Sequence, residues 1–282
     1  MPPLRELMDA LNHVVIGKWT DMATMVVTVY EWLITLDMEI RLIWRREWSF
    51  TKVMYLLNRY SVVVDFVLNC FRSYGEHVPA CRPLFQATAV IYIIGLFLSE
   101  YTLAMRVCAV WKMNKIVIAS LASVYVVSFA WTLTSFSIML HSVEFFTFLP
   151  FGGCLSKIEG STLWINYVIL FIYDVAMLVL IAYPTIQGYR SIYEHTDLVK
   201  HIYIEGVLFY VYLLVVDIVC VTLQLALPDD IFLFGIPVRT LRSILAARAL
   251  LHLRVYSRHN IQGVSTTHMG DSAAGISSIR FN

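Results

Sequence analysis

The chain has 282 residues, with 21 Lys and Arg against 20 Asp and Glu, a formal net charge of +1, and 59% hydrophobic against 15% charged residues. An ordinary soluble domain carries roughly 45–50% apolar and about 25% charged residues, so this composition, with a mean hydropathy of +0.70, places most of the chain in a bilayer. Disorder and nucleic-acid binding are excluded by the low charge and the lack of any basic block, and five cysteines do not make a secreted disulfide framework.

The first 20 residues contain Pro2, Pro3, Arg5, Glu6 and Asp9 but no apolar core, so no cleavable signal peptide is expected and 1–21 reads as an extracytoplasmic amino-terminal segment. Seven windows then reach the ~20 apolar residues that a spanning helix needs: Met22 to Ile43, Val53 to Phe71, Leu84 to Trp111, Ile116 to Leu140, Leu163 to Ile186, Tyr203 to Leu227 and Ile231 to Leu253. The expected class is all-α, an integral bundle of seven transmembrane helices over 22–254. The fourth window is 25 residues without a charge. The seventh is the weakest: Arg239, Arg242 and Arg248 lie inside it, each costing about 2.5–3.5 kcal/mol at a helix centre on the insertion scale. Its alternative is an amphipathic helix lying on the membrane surface. The longest loop runs from His141 to Thr162 and carries the turn-forming run Pro150, Phe151, Gly152, Gly153; residues 255–282, rich in Ser, Thr, Gly and His, read as a disordered cytoplasmic tail.

Orientation follows from the basic residues, which are retained in the cytoplasm. Alternate loops and the tail hold twelve Lys and Arg, the opposite side five, and four more arginines fall within the spans. That distribution predicts an outside amino terminus and a cytoplasmic carboxyl terminus. It also favours a seventh span, because six would put the arginine-rich end outside.

Residues 30 to 60 read YEWLITLDMEIRLIWRREWSFTKVMYLLNRY. Through Tyr30, Thr35, Leu36, Asp37, Glu39, Ile40, Trp44, Arg45, Arg46, Trp48, Ser49, Lys52, Asn58, Arg59 and Tyr60 this stretch resembles the amino-terminal signature of a family of basidiomycete fungal multi-pass membrane proteins, defined only by a domain of unknown function. Arg106-Val107 and Leu251-His252-Leu253-Arg254 are similar to weaker features of that family. The resemblance implies a seven-helix fungal membrane protein; it implies no reaction and no ligand.

Ionisable groups in a bilayer are costly and face the bundle interior. Counted from the cytoplasmic end of each helix at 1.5 Å per residue, Asp37 and Arg59 both lie about 10 Å deep, with Arg248 at the same height. They form a candidate structural ion pair. Near the midplane the same arithmetic collects Glu31, Asp65, Glu100, Asp174 and Asp217 with Arg239 and Arg242, a candidate ligand or ion layer. With all five acids ionised its formal charge is near minus three, so at least one should hold a proton or meet a cation; the alternative is that they disperse among polar partners on separate faces. Helical spacing aligns Thr24, Thr28, Glu31, Thr35 and Glu39; Asn58, Asp65 and Asn69; Tyr210, Asp217 and Gln224; and Arg239, Arg242, Ser243, Ala246 and Ala249. These stripes should face inward.

Cys70, Cys108 and Cys220 lie in or beside spans as small hydrophobes. Cys81 and Cys154 both fall on the predicted outer side, where oxidising conditions allow a bridge that would pin the long loop over the bundle mouth. That placement is similar to the outer disulfide of G-protein-coupled receptors.

Two functions remain in view. One is a receptor-like seven-helix sensor working through a cytosolic signalling partner at the inner loops and tail, its ligand unknown. The other is a proton- or cation-coupled transporter using the midplane carboxylates. An enzyme is not expected: the eight histidines fall in loops, termini or last helical turns, His195, Asp197 and His201 form the only cluster, and no hydrolase, Walker or paired-Cys motif is present. No cofactor or metal is expected.

Overall fold

The structure, a computed structural model, describes residues 4–74, 81–147, 154–157, 163–191, 197–226, 235–252 and 254. Six helices are α1 (Leu4–Glu39), α2 (Phe50–Tyr74), α3 (Cys81–Val110), α4 (Lys115–Ser142), α5 (Leu163–Ser191) and α6 (Asp197–Ala226), and α7 covers 235–252. The segment expected to be disordered, 255–282, lies outside the described residues.

Helix α1 begins 18 residues before the apolar window, and its 36 residues run about 54 Å. That length exceeds a hydrocarbon core of about 30 Å. At the other end of α1 the chain loosens into a π-helical turn, Ile40–Trp44. Helix ends leave carbonyls without partners, and two cations occupy them here: Arg254 donates to the Leu42 carbonyl at 3.0 Å, and Lys52 Nζ donates to those of Trp44 and Arg46 at 3.2 and 2.8 Å.

A tight turn joins α3 to α4. Lys112 and Met113 adopt φ of 49° and 58°, the Met113 amide reaches back to the Cys108 carbonyl at 2.9 Å, and the Asn114 side chain caps α4 by accepting from the Ile116 amide. At the opposite end of the bundle, β1 (Glu144–Thr147) and β2 (Cys154–Lys157) pair antiparallel, with Glu144 opposite Lys157 and Thr147 opposite Cys154. This hairpin is an addition to the all-α expectation. The two ends are called below the turn end and the hairpin end.

Helix α2 runs along α3, α5 along α6, and α4 leans on α3 and α5. Helix α7, the weakest window in the sequence, sits at the centre. Its Ala246 and Ala249 pack with Leu103, Met177, Tyr210 and Leu213 on one side, and its Ala247, Leu250 and Leu251 pack with Ile43 and Tyr55 on the other. A helix lying on the membrane surface would expose its polar face, whereas Arg239, Thr240, Arg242 and Ser243 are all buried. Helix α7 is thus packed within the bundle with its polar face covered.

Polarity is inverted relative to a water-soluble fold. Val26, Val127, Ile172 and Val179 are 60–69% exposed, while Asp65, Glu100, Asp174 and Asp217 are at most 2% exposed. Four helical stretches, Cys81–Val110, Lys115–His141, Trp164–Pro184 and Gly206–Leu223, are long and apolar enough to cross a membrane. The chain is a multi-pass α-helical membrane protein.

Candidate functional site

The buried charges separate into distinct sets arranged around α7. At the turn end, Arg59 Nε of α2 lies 3.0 Å from Glu39 Oε2 of α1, Arg59 Nη2 donates to Thr35 Oγ1 at 2.7 Å, and the Tyr60 hydroxyl donates to Glu39 Oε1 at 3.2 Å. The expected Asp37–Arg59–Arg248 set does not form. Asp37 is 71% exposed and pairs with Arg41 one turn along its own helix at 2.9 Å. Depth alone misplaced it: Asp37 is two residues from both Thr35 and Glu39, hence about 200° around the helix from the inward stripe. Arg248 instead holds Glu31 in a two-pronged contact at 2.8 and 2.7 Å.

The expected midplane layer is likewise divided. Besides Glu31, which leaves it for Arg248, Arg239 lies 3.4 Å from Asp65 and donates to Ser61 Oγ at 2.5 Å. Its guanidinium rests directly over Gly95 of α3, where any Cβ would collide with it. That close approach is why this position takes glycine. Ser99 donates to Asn58 Oδ1 at 2.7 Å, and Ser243 donates to the Asn58 carbonyl at 2.9 Å, tying α2, α3 and α7 together between the two charge sets.

The remaining members converge. Arg242 of α7 donates through Nη1 to Glu100 of α3 and through Nη2 to Asp174 of α5, at 2.8 Å, and to Asp217 of α6. All four side chains are at most 2% exposed. One guanidinium therefore faces three carboxylates, and among the described residues Glu100 Oε2, Asp174 Oδ1 and Asp217 Oδ2 have no hydrogen-bond partner. Fully ionised, the set carries a formal charge of minus two in a medium that penalises even one surplus charge. Its geometry is not that of a metal cage: the carboxylates converge on a guanidinium, and no group of three His, Cys, Asp or Glu among the described residues is arranged to hold a metal ion.

A cavity of about 180 Å³ opens beside this set, in the half of the bundle toward the hairpin end. Its walls are largely aromatic, from Phe85, Tyr92 and Phe97 of α3, Phe136 of α4 and Tyr167 and Tyr173 of α5, and its charged lining residues are Glu100 of α3 and Arg72 of α2. The sequence reading missed both this cavity and the role of Glu39. Glu39 stood in the inward stripe all along. The cavity left a weaker trace, the spacing of Phe85, Ala89, Tyr92, Leu96 and Glu100 along one face of α3.

Cys81 is disulfide-bonded, and Cys70, Cys108 and Cys220 are free. The side chains of Cys154, His195, Asp197, His201 and Gln224 lie outside the described residues.

No curated protein matches the chain. Residues 19–64, which span most of α1, the π-helical turn and the first half of α2, match the model of a family of unknown function, DUF6533. That stretch contains the whole Thr35–Glu39–Arg59–Tyr60 cluster and the Lys52 clamp, so the match falls on a helical hairpin built around a buried ion pair.

Proposed function

We propose that the protein is a seven-span, proton- or cation-coupled transporter, with its hairpin end outside and its turn end in the cytoplasm. The observation that carries this reading is the excess of three carboxylates over one guanidinium around Arg242, across four helices. Such a set is satisfied only by gaining protons or a cation, and their release would change the attraction between α7 and the helices around it. The helices α1, α2 and α7 are not among the stretches long and apolar enough to cross a membrane, yet their charges pair with one another, buried at Glu39–Arg59 and Asp65–Arg239 and half-exposed at Glu31–Arg248. That pairing supports seven spans. The basic loops support the orientation, in which the disulfide-bonded Cys81 meets an oxidising compartment with Cys154 as its partner.

The test is flux in proteoliposomes carrying a pH-sensitive dye, driven by an imposed pH or cation gradient. The wild-type chain should dissipate the gradient, and Asp217→Asn should stop it while the protein remains folded. A wild-type protein that moves no ion would sink the reading. A second reading, a receptor-like sensor acting on a cytosolic partner, draws on the aromatic cavity toward the hairpin end. In that case tail-dependent recruitment of a cytosolic protein would replace flux. No cofactor and no enzymatic step belong to either reading.

A further inference from the structure

Glu100 belongs to two sites at once. Its Oε1 accepts from Arg242, while its Oε2 has no hydrogen-bond partner among the described residues, and the same side chain lies at one end of the aromatic cavity. From Phe85 to Glu100 the lining follows α3 for about 22 Å, so the cavity is a slot with Glu100 at one end and Phe85 at the other, where Arg72 lies over the Phe85 ring at 6.0 Å and Asn69 joins the lining. The Tyr173 hydroxyl, also without a partner among the described residues, lines the same slot.

Three features select the occupant. An apolar cavity of about 150 Å³ admits a benzene ring, so about 180 Å³ takes one ring with a short chain. The faces of Phe and Tyr rings attract cations. At the Glu100 end the surplus negative charge around Arg242 repels anions and leaves Glu100 Oε2 open to an N–H or O–H donor, while Arg72 toward the Phe85 end is engaged by Asn69 Oδ1 at 2.8 Å. We propose that the slot binds a small aryl-alkyl primary ammonium ion, its ammonium donating to Glu100 and its ring lying among the aromatic side chains. The proposal deepens the transport reading by naming a cargo, and rests on it for the ligand's movement but not for its binding.

The test uses the full chain in lipid nanodiscs, with 2-phenylethylammonium as the probe and 2-phenylethanol as its neutral counterpart, measured by equilibrium binding. A hydrogen bond to a charged group corresponds to roughly a tenfold preference or more for the ammonium ion. Glu100→Gln should remove that preference, and Ala89→Phe, which fills the slot from its wall without touching the Arg242 set, should weaken ammonium binding by about tenfold or more. Thermal unfolding of each variant shows whether it is folded, and Ala89→Phe decides the matter if Glu100→Gln is not. Equal affinity for amine and alcohol, or unchanged binding in a folded Ala89→Phe protein, would overturn the proposal. Amine binding without ion flux would overturn the transport reading alone, whereas ion flux without amine binding would overturn the slot assignment alone.

Discussion

The ion pair at the turn end and the acidic set around Arg242 are built from the same chemistry and balanced differently. Glu39 and Arg59 match one to one, with Thr35 and Tyr60 taking up further polar atoms. Around Arg242 three acids share one base, and three carboxylate oxygens have no partner among the described residues. A balanced pair carries no surplus charge and serves as a joint between helices. An unbalanced one is complete only with something added, which is the physical reason for placing function at Arg242 and architecture at Arg59.

The largest effect should come from Arg242→Leu, which strands three carboxylates in the bundle. Breaking a buried pair costs about 3–5 kcal/mol, and here the loss should reach at least that range, seen as absent or unfolded protein. Adding Glu100→Gln, Asp174→Asn and Asp217→Asn to that variant should recover the fold without recovering flux. Next, neutralising a single acid should have opposite outcomes in the two sets. Glu39→Gln leaves Arg59 buried and unpaired and should destabilise by about 3 kcal/mol. Asp217→Asn relieves a surplus and should leave the unfolding temperature level or higher. Equal destabilisation by the two would erase the distinction between joint and site.

A smaller effect belongs to Gly95→Ala. The added methyl pushes on the Arg239 guanidinium, which Asp65 and Ser61 hold in place, and should cost about 1–3 kcal/mol, measured as a lower unfolding midpoint in nanodiscs. Met113→Gly should move the other way by about 0.5–1 kcal/mol, because Met113 holds a φ of 58° that glycine adopts without strain.

The smallest concerns Asp21, at the margin of the first window. Burial raises its pKa, against the opposing effects of the Asn69 hydrogen bond and the Arg72 charge. A carboxyl whose folded pKa lies above its unfolded value binds its proton more tightly in the folded state. Its contribution is therefore full below the ordinary carboxylate range and is lost as pH rises through the raised pKa. Asp21→Asn should flatten that part of the stability profile. An unchanged profile would show that Asp21 is solvated.

Much of this was legible along the chain because period and composition are local properties. In the stripe Thr24, Thr28, Glu31, Thr35 and Glu39, Thr28, Thr35 and Glu39 are buried while Thr24 and Glu31 are half-buried; Asn58, Asp65 and Asn69 are buried as their spacing predicts, and so are Arg239, Arg242, Ser243, Ala246 and Ala249 of α7. Partner choice was not legible. Depth put Asp37 level with Arg59, but depth fixes one coordinate of a helical residue, and the angle around the axis sent Asp37 to the surface and Glu39 to Arg59. The amino-terminal extension of α1 to Leu4 was missed because charges among its first residues interrupt the apolar pattern.

The sequence by itself determined the solvent, the helical class and the inward faces, since each depends on residues near one another in the chain. Tertiary structure alone decided that the window with three arginines would be the central helix, that Glu31 would leave the midplane set for Arg248, and that Glu100 would be shared between a guanidinium and an aromatic slot. The reason is electrostatic. The cost of a buried charge depends on which opposite charges surround it in space, and those arrive from helices up to 217 residues away.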